Sequence, residues 1–308
     1  MNIHSKGSPR KKNEYSFRAQ FTKSIPSYIL IAPFMIAFIL FIVLPVISAI
    51  LLSFTDFNML QFPNWVGIDN FRRLFLSDSV FLIAAKNTLL LALITGPLSY
   101  ILCFFFAWLV NELPTKISAI MTVILYAPSI SGQTYTIWAW ILSGDRYGLL
   151  NGLLMKMGFI DEPIQWLSNT SYMLGATIVV QLWLSLGTSF LAHIAGLKNV
   201  DTTLYEAAAI DGVKNRIQEV IHITLPSMKP QLLFAAVQQI IAAFSVGAVQ
   251  MTLTGNPSTE YATHTIIAHI SDHSGARFEM GYACAMSTLL LVVMLGVNRI
   301  INKVLKSD

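Results

Sequence analysis

The chain has 308 residues, of which 55% are hydrophobic and only 12% charged, with a formal net charge of +4. Soluble domains carry about 25% charged residues, so this composition excludes an ordinary water-soluble globule and points to burial in lipid. The positive excess needs no nucleic-acid partner, because bias of Lys and Arg toward one side of a membrane accounts for it.

In chain order, residues 1–24 read as a basic cytoplasmic tail carrying Lys6, Arg10, Lys11, Lys12, Arg18 and Lys23. The apolar run that follows is too long for the core of a signal peptide, and no small-residue cleavage site follows it. It is expected to remain as a first span. Charge-free stretches then run over Ser24–Thr55, Asn87–Asn111, Ile117–Gly144, Pro163–Leu197, Pro230–Thr259 and Met280–Asn298. A spanning helix needs about 20 residues at about 1.5 Å each to cross about 30 Å of hydrocarbon, and all six stretches qualify. Helices of soluble domains average only about 10–14 residues. The pattern predicts an all-α polytopic membrane protein. Its transmembrane domain covers 25–308, with six spans near 28–52, 88–110, 117–142, 173–197, 230–253 and 281–301. Pro33 and Pro45 lie inside the first run, where neighbouring helices can re-satisfy freed backbone groups. Trp65, Gly67, Asn70 and Phe71 mark the 53–86 connection as a folded turn. Gly148, Gly152, Gly158 and Pro163 mark 143–171 as a packed cap. Cys103 and Cys284 fall within spans and read as small packing residues.

With the N-terminus inside, the cytoplasmic segments hold 14 of the 20 Lys and Arg: six in the tail, Lys116, four from Lys198 to Lys229, and Arg299, Lys303 and Lys306. An even number of spans then places the C-terminus inside as well, and the 201–229 connection faces the cytoplasm.

That connection is the most informative stretch. Thr203-x-x-Glu206 fits a capping box, with Glu206 in the first turn where the helix dipole favours a negative charge. Ala207, Ala208 and Ala209 are strong helix formers with almost no side chain, and Gly212 stops the helix. A second helix is predicted over about 214–223, with Val213, Ile217, Val220 and Ile221 on one side. Pro226 and Pro230 are expected to end it. The residues alone leave open a linker helix lying on the membrane surface.

Glu206-Ala207-Ala208-x-x-Asp211-Gly212, with Ile223-x-Leu225-Pro226 downstream, resembles the EAA loop of the membrane subunits of binding-protein-dependent ABC importers. Pro45, Ser53-Phe54-Thr55, Trp65-Val66-Gly67-Ile68-Asp69-Asn70-Phe71 and Asn87-Thr88 resemble the N-terminal half of the carbohydrate-uptake branch, of the maltose and glycerol-phosphate permease type. Gly255-Asn256-Pro257, Tyr261-Ala262 and Arg277-Phe278-Glu279-Met280-Gly281-Tyr282-Ala283 resemble its C-terminal region. The interval from Glu206 to Pro226 is one residue longer than in the commonest form, and Gln218-Glu219 stands where many members carry an aromatic.

The resemblance implies a type I ABC importer permease fold in a bacterial cytoplasmic membrane, multi-pass, with both termini inside. It implies a coupling helix carrying Glu206, Ala207, Ala208, Asp211, Gly212, Leu225 and Pro226 and docking into a cytoplasmic ATPase dimer. It further implies a second permease subunit forming a heterodimeric pore, an extracytoplasmic solute-binding protein and a sugar substrate. The chain has no G-x-x-x-x-G-K-[ST] phosphate loop, so ATP and magnesium belong to the partner ATPase, and no cofactor or catalytic residue is expected on this chain.

Sugar sites combine aromatic faces with neutral hydrogen-bonding groups. Polar groups within spans face cavities or other helices. Gln133, Tyr135, Trp138, Gln181, Trp183 and Gln239 are therefore the candidate pathway residues, with Ser185, Gln238, Ser245 and Gln250 as further polar groups in the same spans. His193 is the one ionisable side chain within a span and reads as a helix-terminal hydrogen-bonding group. The lack of others favours neutral solutes. His264, His269 and His273 cluster with Glu260 and Asp272 in the last outer connection. Although His269 and His273 have i, i+4 spacing, no H-E-x-x-H occurs, and a gate or docking surface is expected there rather than a metal. Ser129-Ile130-Ser131-Gly132 lacks the context of an intramembrane protease. The rival readings are a permease for amino acids, peptides or metals in the same superfamily, and a secondary transporter. The latter would usually show inverted repeats and charged coupling sites, neither of which is visible.

Overall fold

The computed structural model describes residues 17–306, with side chains over 25–304. Residues 1–16 of the expected tail lie outside the described residues, and 17–24 are already helical. The chain forms two compact units, Met1–Leu51 and Leu52–Asp308.

The first unit is helical through Phe17–Phe38, a π turn at Ile39–Val43 and Leu44–Leu52. The π turn has a local cause. Pro45 cannot donate a backbone hydrogen bond, and its ring would press on the carbonyl one α-turn back. The amide of Leu44 reaches Ile39 instead, closing a wider ring.

The second unit is also helical, and among the described residues the only extended pairing is an isolated bridge between Thr55 and Trp65. The expected folded turn after the first span is present. Phe54 stacks on Trp65 at 5.5 Å and meets Phe71 at 5.4 Å, while the Asn70 side chain donates to the carbonyls of Ser53 and Thr55. A helix over Asp69–Leu76 follows. Asp78 then caps the Ser79–Asn111 helix by accepting from the Phe81 amide at 2.8 Å. This helix starts nine residues before the expected span, because Asp78 supplies a stronger start signal than the later loss of charge.

The expected cap at 143–171 is also present, organised by a buried Asn151. Its amide nitrogen donates to the carbonyls of Ser143, Asp145 and Ile164, and its oxygen accepts from the Ile164 amide and the Trp166 indole.

Among the described residues, four helices are long and apolar enough to cross a membrane: Ile25–Leu52, Ser79–Asn111, Lys229–Thr254 and Met280–Val304. Thr170–Leu184 and Thr188–Lys198 add a fifth if their 42° bend lies within one span. The expected third span is interrupted. Thr115–Ile130 ends in a turn at 131–135, and Thr136–Ile141 resumes after it. Within the second unit the core lies where its own helices pack together. Leu74, Phe81, Ala243, Phe244, Tyr282 and Met286 join one end, and Cys103, Ala107, Phe190, Ile194 and Met228 join the other. Small residues allow close approach, as where a Cβ on Gly96 would meet Ala243 at 3.5 Å.

Candidate functional site

Three places gather the chemically capable side chains: the 201–229 connection, a polar cleft between broken helices, and a histidine cluster.

In the connection, a helix covers Thr202–Ile210. Asp201 is its N-cap, accepting from the Thr203 amide at 3.0 Å, so the Thr203–Glu206 capping box is not formed. Glu206 consequently sits beyond the first turn and is exposed. Both Asp201 and Thr203 suit a cap, and the ionised carboxylate, two residues earlier, is the stronger acceptor near the helix dipole. The stop at Gly212 forms as expected, with φ +96° and the Val213 amide returning to the Ala208 carbonyl at 3.0 Å. A Cβ on Gly212 would meet nothing within 4 Å, so this corner faces open space.

The second helix is capped by Asn215, covers Arg216–Glu219, widens into a π turn at Val220–Thr224 and continues through Leu225–Ser227. Pro226 therefore does not end it. As before Pro45, the π turn relieves the proline, with Leu225 N–H reaching Val220. The i→i−5 ring holds one residue more than an α-helical ring. The expected apolar side is not the buried one: Ile217 and Ile221 are exposed, whereas Ile223, Thr224 and Met228 are buried. Glu206, Ala207, Asp211, Gly212 and Pro226 are exposed, and Ala208 and Leu225 half-buried. The Tyr205 and Thr224 hydroxyls, 2.9 Å apart, tie the two helices together. Arg216 pairs with Glu219 at 2.7 Å and Glu112 at 3.4 Å, fixing the connection to the end of the Ser79–Asn111 helix.

The polar cleft, a partly open cavity of about 200 Å³, is lined by Thr95, Ser99, Gln181, Ser185, Gln238 and Gln239 among others, none of them charged. It lies beside the break at 185–187. The carbonyl of Ser185, freed by that break, accepts from the Gln239 amide at 3.4 Å and the Cys103 thiol at 3.3 Å. Gln239 also donates to the Cys103 sulfur at 3.1 Å and is buried. A Cβ on Gly187 would lie 3.4 Å from that of Ser129, so the interrupted third segment approaches the same break. The Lys229–Phe244 helix breaks too, before Ala248–Thr254. Non-helical backbone at membrane depth is tolerated where it lines a cavity or is buried in protein.

Of the pathway candidates, Gln181 and Gln239 share the cleft. Trp138 and Trp183 meet edge-to-face at 5.7 Å beside it. Tyr135 packs with Trp138 against Leu142, Val180, Val249 and Leu253. Gln133 is exposed in the turn and does not line the cleft. Thr95 and Ser99 escape a sequence reading because a hydroxyl in an apolar helix usually bonds its own backbone, as Thr95 does to Leu91 at 2.8 Å. Among the described residues His193 has no hydrogen-bond partner, and it lies between Tyr100 and Phe104, at 5.2 and 5.7 Å, contrary to the helix-terminal role expected of it.

The histidine cluster recruits different acids from those expected. Asp272 pairs with Arg277 at 2.9 Å, and Glu260 is exposed. Asp78 Oδ2 instead accepts from His269 Nε2 at 3.0 Å and from the Tyr282 hydroxyl at 2.6 Å. Glu279 Oε2 accepts from His273 Nδ1 at 2.6 Å, and Arg73 grips the same carboxylate bidentately at 3.0 and 3.1 Å. Arg73 lies 4.1 Å over the Tyr282 ring. Burial raises the Asp78 carboxyl, but hydrogen bonds from Tyr282, His269 and the Phe81 amide outweigh it and hold the group at about 2. Burial pushes His264 down to about 4.

No family model matches the chain. Among curated proteins it is 33% identical over 277 residues to the "Probable ABC transporter permease protein YesP" of Bacillus subtilis (strain 168), covering 88% of this chain and 87% of that protein. The chain belongs to the ABC transporter permeases. It is also 31% identical over 291 residues to the arabinooligosaccharides transport system permease protein AraP of the same organism, covering 91% and 88% of the two chains. A bacterial ABC transporter involved in import of the acidic polysaccharide alginate has a matching fold. The TM-score is 0.74 at 24% identity, covering 94% of this chain and 97% of that one. A transport component of this family is not the catalytic subunit.

Proposed function

We propose that this permease is one subunit of a heterodimeric pore in a bacterial cytoplasmic membrane. It admits a neutral sugar or oligosaccharide delivered by an extracytoplasmic binding protein. The carrying observation is the cleft: amide and hydroxyl groups converge beside helix breaks with no charged side chain in the lining. Neutral polyols match such a surface, whereas an acidic glycan needs cations. AraP supports an oligosaccharide, and the alginate importer solved with a pentasaccharide-bound periplasmic protein supports delivery by a binding protein.

In this reading six spans cross the membrane, with Thr115–Ile141 as the broken third and both termini in the cytoplasm. The Thr202–Ile210 helix docks into a separate ATPase. Exposed Ile210 and the open corner at Gly212 supply an apolar knob with close backbone access. ATP can drive the pore only if its two conformations bind the ATPase differently. The assembled transporter in proteoliposomes is the test. Uptake of a labelled neutral oligosaccharide should require the ATPase subunit, and Gln181→Ala should lower it without abolishing ATP hydrolysis. Uptake persisting without the ATPase would make the chain a secondary transporter and end the proposal.

A further inference from the structure

The buried histidine cluster has features that a hydrogen-bonded network does not need. One ring nitrogen each from His269 and His273 and a carboxylate oxygen of Asp78 all lie within 4.8 Å of one another. His269 and His273 are 2% and 1% exposed. His273 Nδ1 is committed to Glu279, and its remaining nitrogen, Nε2, is buried with no hydrogen-bond partner among the described residues. An unpaired buried imidazole nitrogen is costly unless something occupies its lone pair.

We propose that Asp78, His269 and His273 bind one divalent first-row transition cation, with zinc as the type. Two imidazoles and one carboxylate suit such an ion, whereas calcium and magnesium favour all-oxygen sets. A tetrahedral ion held at about 2.0 Å sets its ligands about 3.3 Å apart. The Asp78–His269 pair already stands at 3.0 Å, and the third donor falls within side-chain reach.

The surrounding groups are those that orient metal ligands. Glu279 accepts from His273 Nδ1, fixing the tautomer that presents Nε2. His264 Nε2 contacts His269 Nδ1 at 3.2 Å, and the Tyr282 hydroxyl holds the Asp78 carboxylate. Ligation through His269 Nε2 requires its ring proton to sit on Nδ1, where His264 Nε2 can accept it. The ion would join the start of the Ser79–Asn111 helix to the 266–276 segment, with Tyr282 of the last helix bonded to one of its ligands.

The full chain, purified with a histidine-free tag and stripped by a chelator, is titrated with Zn²⁺ and with Co²⁺. The expected result is one equivalent per chain, a rise in melting temperature, and Co²⁺ ligand-field absorption of a low-coordinate nitrogen–oxygen site. His273→Gln and Asp78→Asn should weaken binding at least 100-fold. Tyr282→Phe keeps all three donors and should weaken it about tenfold, as loss of an orienting partner does. His222→Gln, in the exposed connection, should change nothing. A wild-type chain that melts cooperatively yet takes up no stoichiometric ion would show a hydrogen-bonded cluster only and overturn the proposal. So would wild-type affinity in both ligand variants.

Discussion

The two ends of the Ser79–Asn111 helix are held differently. At its start, Asp78 is locked by Tyr282 and His269, Glu279 by Arg73 and His273, and the carbonyls of Ser53 and Thr55 by Asn70. At its far end, about 50 Å away for 33 residues, the 201–229 connection satisfies its own backbone but leaves Ile210, Ile217 and Ile221 exposed. The first end is tied by polar side chains, although Phe62, Trp65, Ile68 and Leu76 are exposed there. The other end also leaves apolar side chains exposed, as surface for lipid or for another molecule.

The comparison breaks first at Gly281. A Cβ there would collide with the carbonyl of Thr55, and the Gly281 amide donates to Phe57 at 2.8 Å. Gly281→Ala should cost about 3 kcal/mol, as overpacking against backbone does, read as a lower melting temperature and poor accumulation of folded chain. A variant that melts like the parent would show that this end is not interlocked. Asn151→Ala tests the neighbouring cap. It leaves buried backbone groups unpaired and should cost about 2 kcal/mol, seen as earlier proteolysis of the 143–171 segment.

Acidity should loosen the tied end selectively. His264, held down to about 4 by burial, is neutral in the folded chain below the pH at which a free imidazole takes a proton, near 6.5. Protonation therefore favours unfolding. The stability this contributes is complete above about pH 6.5 and lost as pH falls toward 4. Asp78, held at about 2, adds stability present above about pH 4 and lost toward pH 2. Hydrogen exchange across 264–276 at pH 7 and pH 5 should show faster opening at pH 5, with the 202–210 helix much less affected.

The smallest stability effects belong to the connection. Ile210→Ser should move the melting temperature little, because exposed positions usually change stability within about 0.5 kcal/mol, while sharply reducing ATP-driven uptake. Large destabilisation would mean that Ile210 holds the fold rather than meets a partner.

Much of this contrast was legible in the sequence. Charge-free runs located the apolar helices, and Gly212 announced its turn. The folded character of 53–86 and 143–171 followed from Trp65, Asn70 and the glycines. Other features were hidden for physical reasons. The breaks at 131–135 and 185–187 carry Ser and Gly, which an apolar helix also tolerates. The choice of Asp201 over Thr203 lies between two competent caps. The π turn before Pro226 shows only in the backbone. Asp78 joins His269 across 191 positions, a distance no spacing rule reaches.

The central claim is that the 201–229 connection serves a partner ATPase. A photo-crosslinking residue at Ala207, in the complete transporter purified with its ATPase, tests this most directly. The account predicts a crosslink to the ATPase subunit whose yield changes when ATP is bound. A crosslink only to lipid or to this chain, in a complex that still transports, would contradict it.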